Sequence, residues 1–106
     1  MITQERLYEI TSRIVSNYQP QKVVLFGSYA KGKATQGSDL DLLIVKETAT
    51  PRYKRGREVR KSLRGLKTSI DLLVYTPDEI ERWRHVKNAF ITTILRTGKV
   101  LYERKA

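Results

Sequence analysis

Apolar residues recur along the chain in two rhythms. Near the start, Leu7, Ile10, Ile14 and Tyr18 return at steps of three and four, which places them on one stripe of a helix over residues 3–18. Pro20 is expected to stop it. The rhythm then shifts to short unbroken apolar runs, Val23 to Phe26, residues 39–45 and residues 69–75, which read as buried strands. Between the last two, Pro51 opens a helical stretch to about Leu66 with a thin apolar stripe of Tyr53, Val59, Leu63 and Leu66. Thr76, Pro77 and Glu79 have the spacing of a capping box with proline at the first helical position, and the helix they open should turn Ile80 and Trp83 inward. A last helix from about Asn88 to Thr97 carries Phe90, Ile91, Ile94 and Leu95, stops at Gly98 and leads into a short strand, Val100 to Tyr102.

These elements predict an α/β (α+β) fold: a small mixed sheet of three to four strands flanked by helices. The helix between the second and third strands supplies the crossover that a parallel pair needs. The first strand ends where the second begins, so those two should run antiparallel.

The stretch VVLFGSYAKGKATQGSDLDLLIV, residues 23–45, departs from scaffold chemistry. Gly27 turns the backbone after the first strand, and Ser28 occupies the expected N-cap of a short helix that Gly32 ends. Backbone N–H groups at such a turn form an anion site in outline. Side chains alternate along a strand, so Asp39 and Asp41 project from one face while Leu40 points to the other. Asp41 precedes LLIV, where a charge is costly unless a positive group meets it. A divalent cation would relieve that cost, and magnesium takes oxygen ligands from one or two carboxylates plus substrate phosphates. Solvated turn and edge aspartates would show the same residue types without any shared ligand.

Gly27-Ser28, ten residues, then Asp39-Leu40-Asp41 resembles the signature of the DNA polymerase β-type nucleotidyltransferase superfamily, and the size and layout resemble its minimal nucleotidyltransferases of the antitoxin class. The resemblance implies the polymerase-β-like fold, a Gly-Ser turn that holds a nucleoside triphosphate, two aspartates that bind magnesium, and a third carboxylate on a later strand. Asp71, near the start of the third strand, supplies that acid. With parallel second and third strands, it falls beside Asp39 and Asp41. The set fits transfer with two magnesium ions, which orient the triphosphate and neutralise the leaving pyrophosphate. The family likeness also implies AMP transfer from ATP to a hydroxyl, with a tyrosine of a helical HEPN-type partner protein as acceptor. Because larger relatives add a domain that grips the acceptor, that partner or a second copy of the chain would have to hold it. Lys31 and Lys33, in the flexible loop between turn and aspartates, are candidate contacts to the triphosphate.

Composition narrows the setting. The 106 residues suffice for one core, so residues 1–106 are expected to form a single nucleotidyltransferase domain. There is no cysteine, which suits a reducing cytoplasm, and no apolar stretch of membrane-spanning length or signal-peptide pattern. The net charge of +10 calls for an acidic partner: nucleotide, nucleic acid or protein. Much of it lies in residues 52–67, a surface that could dock phosphates of RNA or DNA through charge alone. His85, beside Arg84 and Lys87, reads as a surface residue, and Asp78 and Glu79 as cap and dipole partners. Two other functions compete with catalysis. One is a non-catalytic nucleotide-binding or partner-occluding module; the other is nonspecific nucleic-acid binding.

Overall fold

The computed structural model describes residues 1–86 and 89–105. Its elements follow in the order α1 (Gln4–Tyr18), β1 (Lys22–Phe26), α2 (Gly27–Ala30), β2 (Leu40–Val45), α3 (Arg52–Lys61), β3 (Ile70–Tyr75), α4 (Pro77–Trp83), α5 (Phe90–Thr97) and β4 (Lys99–Glu103). The four strands lie in the order β3-β2-β1-β4, with β2 parallel to β3 and β1 antiparallel to both of its neighbours. The sheet is therefore mixed, as the crossover argument requires.

Alternation along the strands splits the core in two. Val23, Leu25, Leu40, Leu42, Ile44, Ile70 and Val74 face α1 and α3, where Ile10, Ile14, Val59 and Leu63 complete a dry layer. The opposite face presents Val24 and Leu43 to Ile91 and Ile94 of α5, with Phe26, Leu73, Tyr75 and Ile80 half-buried at its margins. That second layer is smaller. The row ahead of Leu43 and Leu73 on this face consists of Asp41 and Asp71, so apolar packing gives way there to charge.

Local chemistry sets the helix ends. The Thr3 hydroxyl accepts from the Arg6 N–H at 3.0 Å and opens α1. Gln19, in the left-handed region at φ 53, ends α1 ahead of Pro20. The capping box at Thr76 is complete, with Thr76 N donating to Glu79 Oε1 at 2.8 Å and Glu79 N to Thr76 Oγ1 at 3.2 Å. The helix expected to reach Leu66 stops at Lys61, because the chain breaks into turns and leaves at Gly65, φ 85. Tyr53, assigned to its apolar stripe, is 83% exposed, and Trp83, expected to face inward, is 45% exposed. Both lie on helices too short to bury a whole face. The expected start of the last helix at Asn88 falls outside the described residues; α5 is described from Phe90.

The outer edge of β3 is covered by two arginines rather than by a strand. Arg60 Nη2 donates to Ile70 O at 2.9 Å and Arg55 Nη1 to Val74 O at 3.1 Å. Capping two of the outward carbonyls in this way blunts the edge against further strand pairing. It also turns one cation of residues 52–67, Arg55, inward, while Arg60 stays exposed. Among the described residues, no helix is long and apolar enough to cross a membrane.

Candidate active site

Phe26 stands opposite Asp41 in the β1–β2 ladder, and Asp41 stands opposite Asp71 in the β2–β3 ladder. One row therefore crosses three strands, ending β1 and opening β2 and β3, with its side chains on the α5 face. Gly27 follows Phe26 at φ +75. A Cβ there would collide with the Asp41 carboxylate, lying 3.0 Å from its Cγ and 3.3 Å from its Cβ. Glycine is required twice over: for its dihedral and for the close approach of backbone to carboxylate.

Ser28 does not cap α2. The cap position belongs to Phe26, which makes no side-chain bond, and Ser28 sits inside the single turn. One turn carries little macrodipole, so what such a turn can offer an anion is the backbone N–H groups that a first helical turn leaves without an intrahelical partner, rather than a helix field. Lys31 N donates to Gly27 O at 3.2 Å and Lys33 N to Ser28 O at 2.9 Å, which folds the exposed lysines back against the turn.

Asp39 lies one residue ahead of β2. Its Oδ1 accepts from the Ser69 hydroxyl, and Leu40 N donates to Ser69 O at 3.0 Å, so the start of the parallel ladder holds Ser69 beside Asp39. Asp39, Ser69, Arg6, Tyr29, Ser38 and Lys67 border a polar hollow of 690 Å³. Ser69 was not legible as a site residue, since nothing in the sequence distinguishes it from other serines that precede strands.

Burial pushes the Asp41 carboxyl above its usual range, and the charge of Asp71, a hydrogen bond shared with Asp71, and the charge of Asp39 push it the same way. Among the described residues, none of these three carboxylates pairs with a lysine or arginine. The fold thus concentrates negative charge and supplies no side-chain cation to offset it. No trio of acidic, histidine or cysteine side chains among the described residues forms a ready-made metal cage. A magnesium site asks for less, one or two carboxylates with substrate phosphates providing the remaining oxygens. Asp39, Asp41 and Asp71 are the carboxylates here that could hold such an ion, with Asp41 and Asp71 paired across the parallel strands and Asp39 one residue ahead of β2.

A small mixed sheet with a glycine turn locked against an acidic strand start defines a nucleotidyl-transfer scaffold. The nucleotidyltransferase domain family profile matches residues 7–96, and the chain belongs to that family. Over 47 residues it is 40% identical to a Methanocaldococcus jannaschii protein provisionally named a protein adenylyltransferase, a match that covers 42% of this chain and 47% of that one. The chain thus spans about half the length of that curated relative. A provisionally named nucleotidyltransferase from Sulfolobus solfataricus superposes with a TM-score of 0.63 at 25% identity, covering 92% of this chain and 78% of that one. The crystal structure of a toxin–antitoxin with AMP-PNP superposes with a TM-score of 0.64 at 20% identity, over 92% and 73% of the two chains, a likeness of fold.

Proposed function

We propose that the chain transfers a nucleoside monophosphate, AMP from ATP, to a hydroxyl on a separate protein. The acceptor hydroxyl oxygen forms a bond to the α-phosphorus, the bond from that phosphorus to the bridging oxygen breaks, and pyrophosphate leaves. The hydroxyl proton is lost to solvent. The observation that carries this reading is the row Phe26, Asp41, Asp71, with Gly27 pressed against the Asp41 carboxylate.

In that reading the backbone at Gly27 and Ser28 receives the β- and γ-phosphates, and Lys31 and Lys33 offset their charge. Asp39, Asp41 and Asp71 would hold two magnesium ions, and bound there these would neutralise the polyphosphate and favour ionisation of the attacking hydroxyl. Ser69 keeps the Asp39 carboxylate from rotating, and Asp71 lies on the acceptor side. A tyrosine of a helical HEPN-type partner is the proposed acceptor. The similarity to a provisionally named protein adenylyltransferase and the shared fold with a toxin–antitoxin support a protein as acceptor; the tyrosine and the HEPN class come from the family likeness.

The test is incubation of the protein with magnesium, the candidate partner and ATP labelled at the α-phosphate, with a parallel sample labelled at the γ-phosphate. Only the α-label should reach the partner, and Asp39→Asn with Asp41→Asn should abolish transfer. Equal labelling by the double variant would exclude catalysis at this site.

A further inference from the structure

The basic run over residues 52–67 has no part in the acidic row, and the fold sorts it in a way that composition alone does not show. It holds eight of the chain's 21 lysines and arginines against one of its 11 acids, Glu58. Arg55, Val59 and Leu63, at steps of four, are buried against the sheet, which fixes the side of α3 that looks outward. That outer side carries Tyr53, Arg57 and Lys61 at the same step, with Lys54 and Arg64 beside them, all exposed. Glu58 is half-buried and accepts from the Thr50 hydroxyl at 3.0 Å. Among the described residues, no carboxylate lies within ion-pair distance of Lys54, Arg57, Lys61 or Arg64. One ring stands among these cations: Tyr53 is 83% exposed, and Lys54 Nζ lies 5.7 Å from its centroid. The bonds from Arg55 to Val74 O and from Arg60 to Ile70 O fasten α3 along β3, so the outward residues stand on a rigid support.

We propose that this outer side of α3 is a docking surface for single-stranded RNA, a role that does not rest on the transfer reading above. Cations one helical turn apart, about 5.4 Å along the axis, can follow successive phosphates of an extended strand. The ring between them adds what charge cannot, a face on which an unpaired base stacks whatever its identity. A duplex keeps its bases stacked on one another and leaves Tyr53 without a partner. An acidic protein would match the charge but not the surface: protein interfaces centre on apolar groups and are depleted of charge there, whereas here a lone ring is set among cations. Unpaired bases that can splay onto aromatic side chains are the ordinary state of RNA loops and ends. The acidic row repels a phosphate chain, so the strand stays on α3.

The intact protein is titrated into a fluorescein-labelled single-stranded RNA of roughly 16 nucleotides, following anisotropy in EDTA. Without magnesium the carboxylates can bridge no phosphate, so the result is independent of transfer. The RNA should bind at low salt and weaken about 50-fold between about 50 and 200 mM salt, the slope expected for four cations at about 0.7 each. Arg57→Ala with Lys61→Ala should halve that slope. Arg82→Ala with Arg96→Ala, which removes the same charge from α4 and α5, should leave it nearly unchanged. Tyr53→Ala should weaken binding about tenfold without altering the slope, and Tyr53→Phe, which keeps the ring, should bind as the native chain does. The substituted side chains are all exposed, so the variants keep the fold, which circular dichroism checks. No binding at low salt, an equal loss of slope in the α4–α5 variant, or full affinity in Tyr53→Ala would overturn the proposal. Tighter binding of a DNA strand or duplex of the same length would overturn RNA as the occupant. Polyglutamate that binds as tightly as the RNA at equal charge would overturn it in favour of an acidic protein.

Discussion

Arg55 and Glu79 meet at 2.7 Å with Arg55 only 6% exposed, whereas Asp41 and Asp71 face each other across two parallel strands with no side-chain cation among the described residues. The first pair is internally complete. Arg55 also donates through Nε to Thr50 O at 2.7 Å and through Nη1 to Val74 O, while Glu79 accepts from Thr76 N. Helix α3, strand β3 and helix α4 are tied at one point, and each polar atom named here has a partner. The second pair has excess charge of one sign and no internal remedy. A protein that can neutralise a buried ion with an arginine in one place and leaves two carboxylates opposed in another distinguishes scaffold from site. In the proposed reading, the contrast separates charge used for holding from charge used for receiving a ligand.

The largest way to break the contrast is to empty the complete site. Arg55→Ala leaves Glu79 half-buried and unpaired and strips hydrogen bonds from the carbonyls of Thr50 and Val74. Removing one member of such a pair costs about 3–5 kcal/mol. Urea unfolding should show a loss in that range, and Arg55→Met with Glu79→Gln should recover part of it. A loss below about 1 kcal/mol would mean that the pair is as weak as an exposed one.

Next comes the incomplete site, where the two readouts should move in opposite directions. Asp41→Asn removes a charge that burial, Asp71 and Asp39 all oppose, so the metal-free protein should gain about 0.2–1 kcal/mol, the scale of one cross-strand pair. The same change should lower the proposed transfer by about 10²–10³-fold, as expected for loss of one electrostatic stabiliser. Magnesium should raise the melting temperature of the native protein and leave that of Asp41→Asn nearly unchanged. A variant that is both less active and less stable without magnesium would make Asp41 a structural acid.

These two sites also differ in how far the sequence revealed them. Asp41 and Asp71 were legible because chemistry fixed their type and topology fixed their neighbours: an acid that opens a buried strand has few uses. Their register followed from the crossover. Arg55 was not legible. It stands among Arg52, Lys54, Arg57, Arg60 and Lys61, and nothing in a run of cations marks the one that turns inward. Glu79 was read as a cap, which it is, but its second partner lies 24 positions away, beyond local pattern. The exposure of Trp83 and Phe90 failed to show for a related reason: periodicity over seven or eight residues identifies a helix but not how much of its face the neighbours cover.

The smallest expected signal, and the one that compares the sites most directly, is their response to acid. Burial alone would raise the Glu79 carboxyl, but hydrogen bonds from Arg55 and the Thr76 N–H, with the charges of Arg55 and Arg52, outweigh it and hold the group below its usual range. A depressed carboxyl stabilises the fold above the unfolded value, about 4.3, and that contribution is lost as pH falls through the folded one. Asp41 is raised, so the sign reverses. Its ionisation opposes folding, and the penalty grows as pH rises from the unfolded value, about 3.9, through the raised folded value. Acidification from neutral should therefore first relieve Asp41 and afterwards undo Glu79. In unfolding free energies across pH, the advantage of Asp41→Asn over the native chain should shrink before the deficit of Glu79→Gln begins to close. Magnesium should reverse the first step, because a cation bound to ionised Asp41 stabilises the fold and the proton that displaces it removes that stability. A gap between Asp41→Asn and the native chain that stays constant down to pH 3 would mean that Asp41 does not titrate as a crowded carboxyl, and the distinction between the two sites would fail.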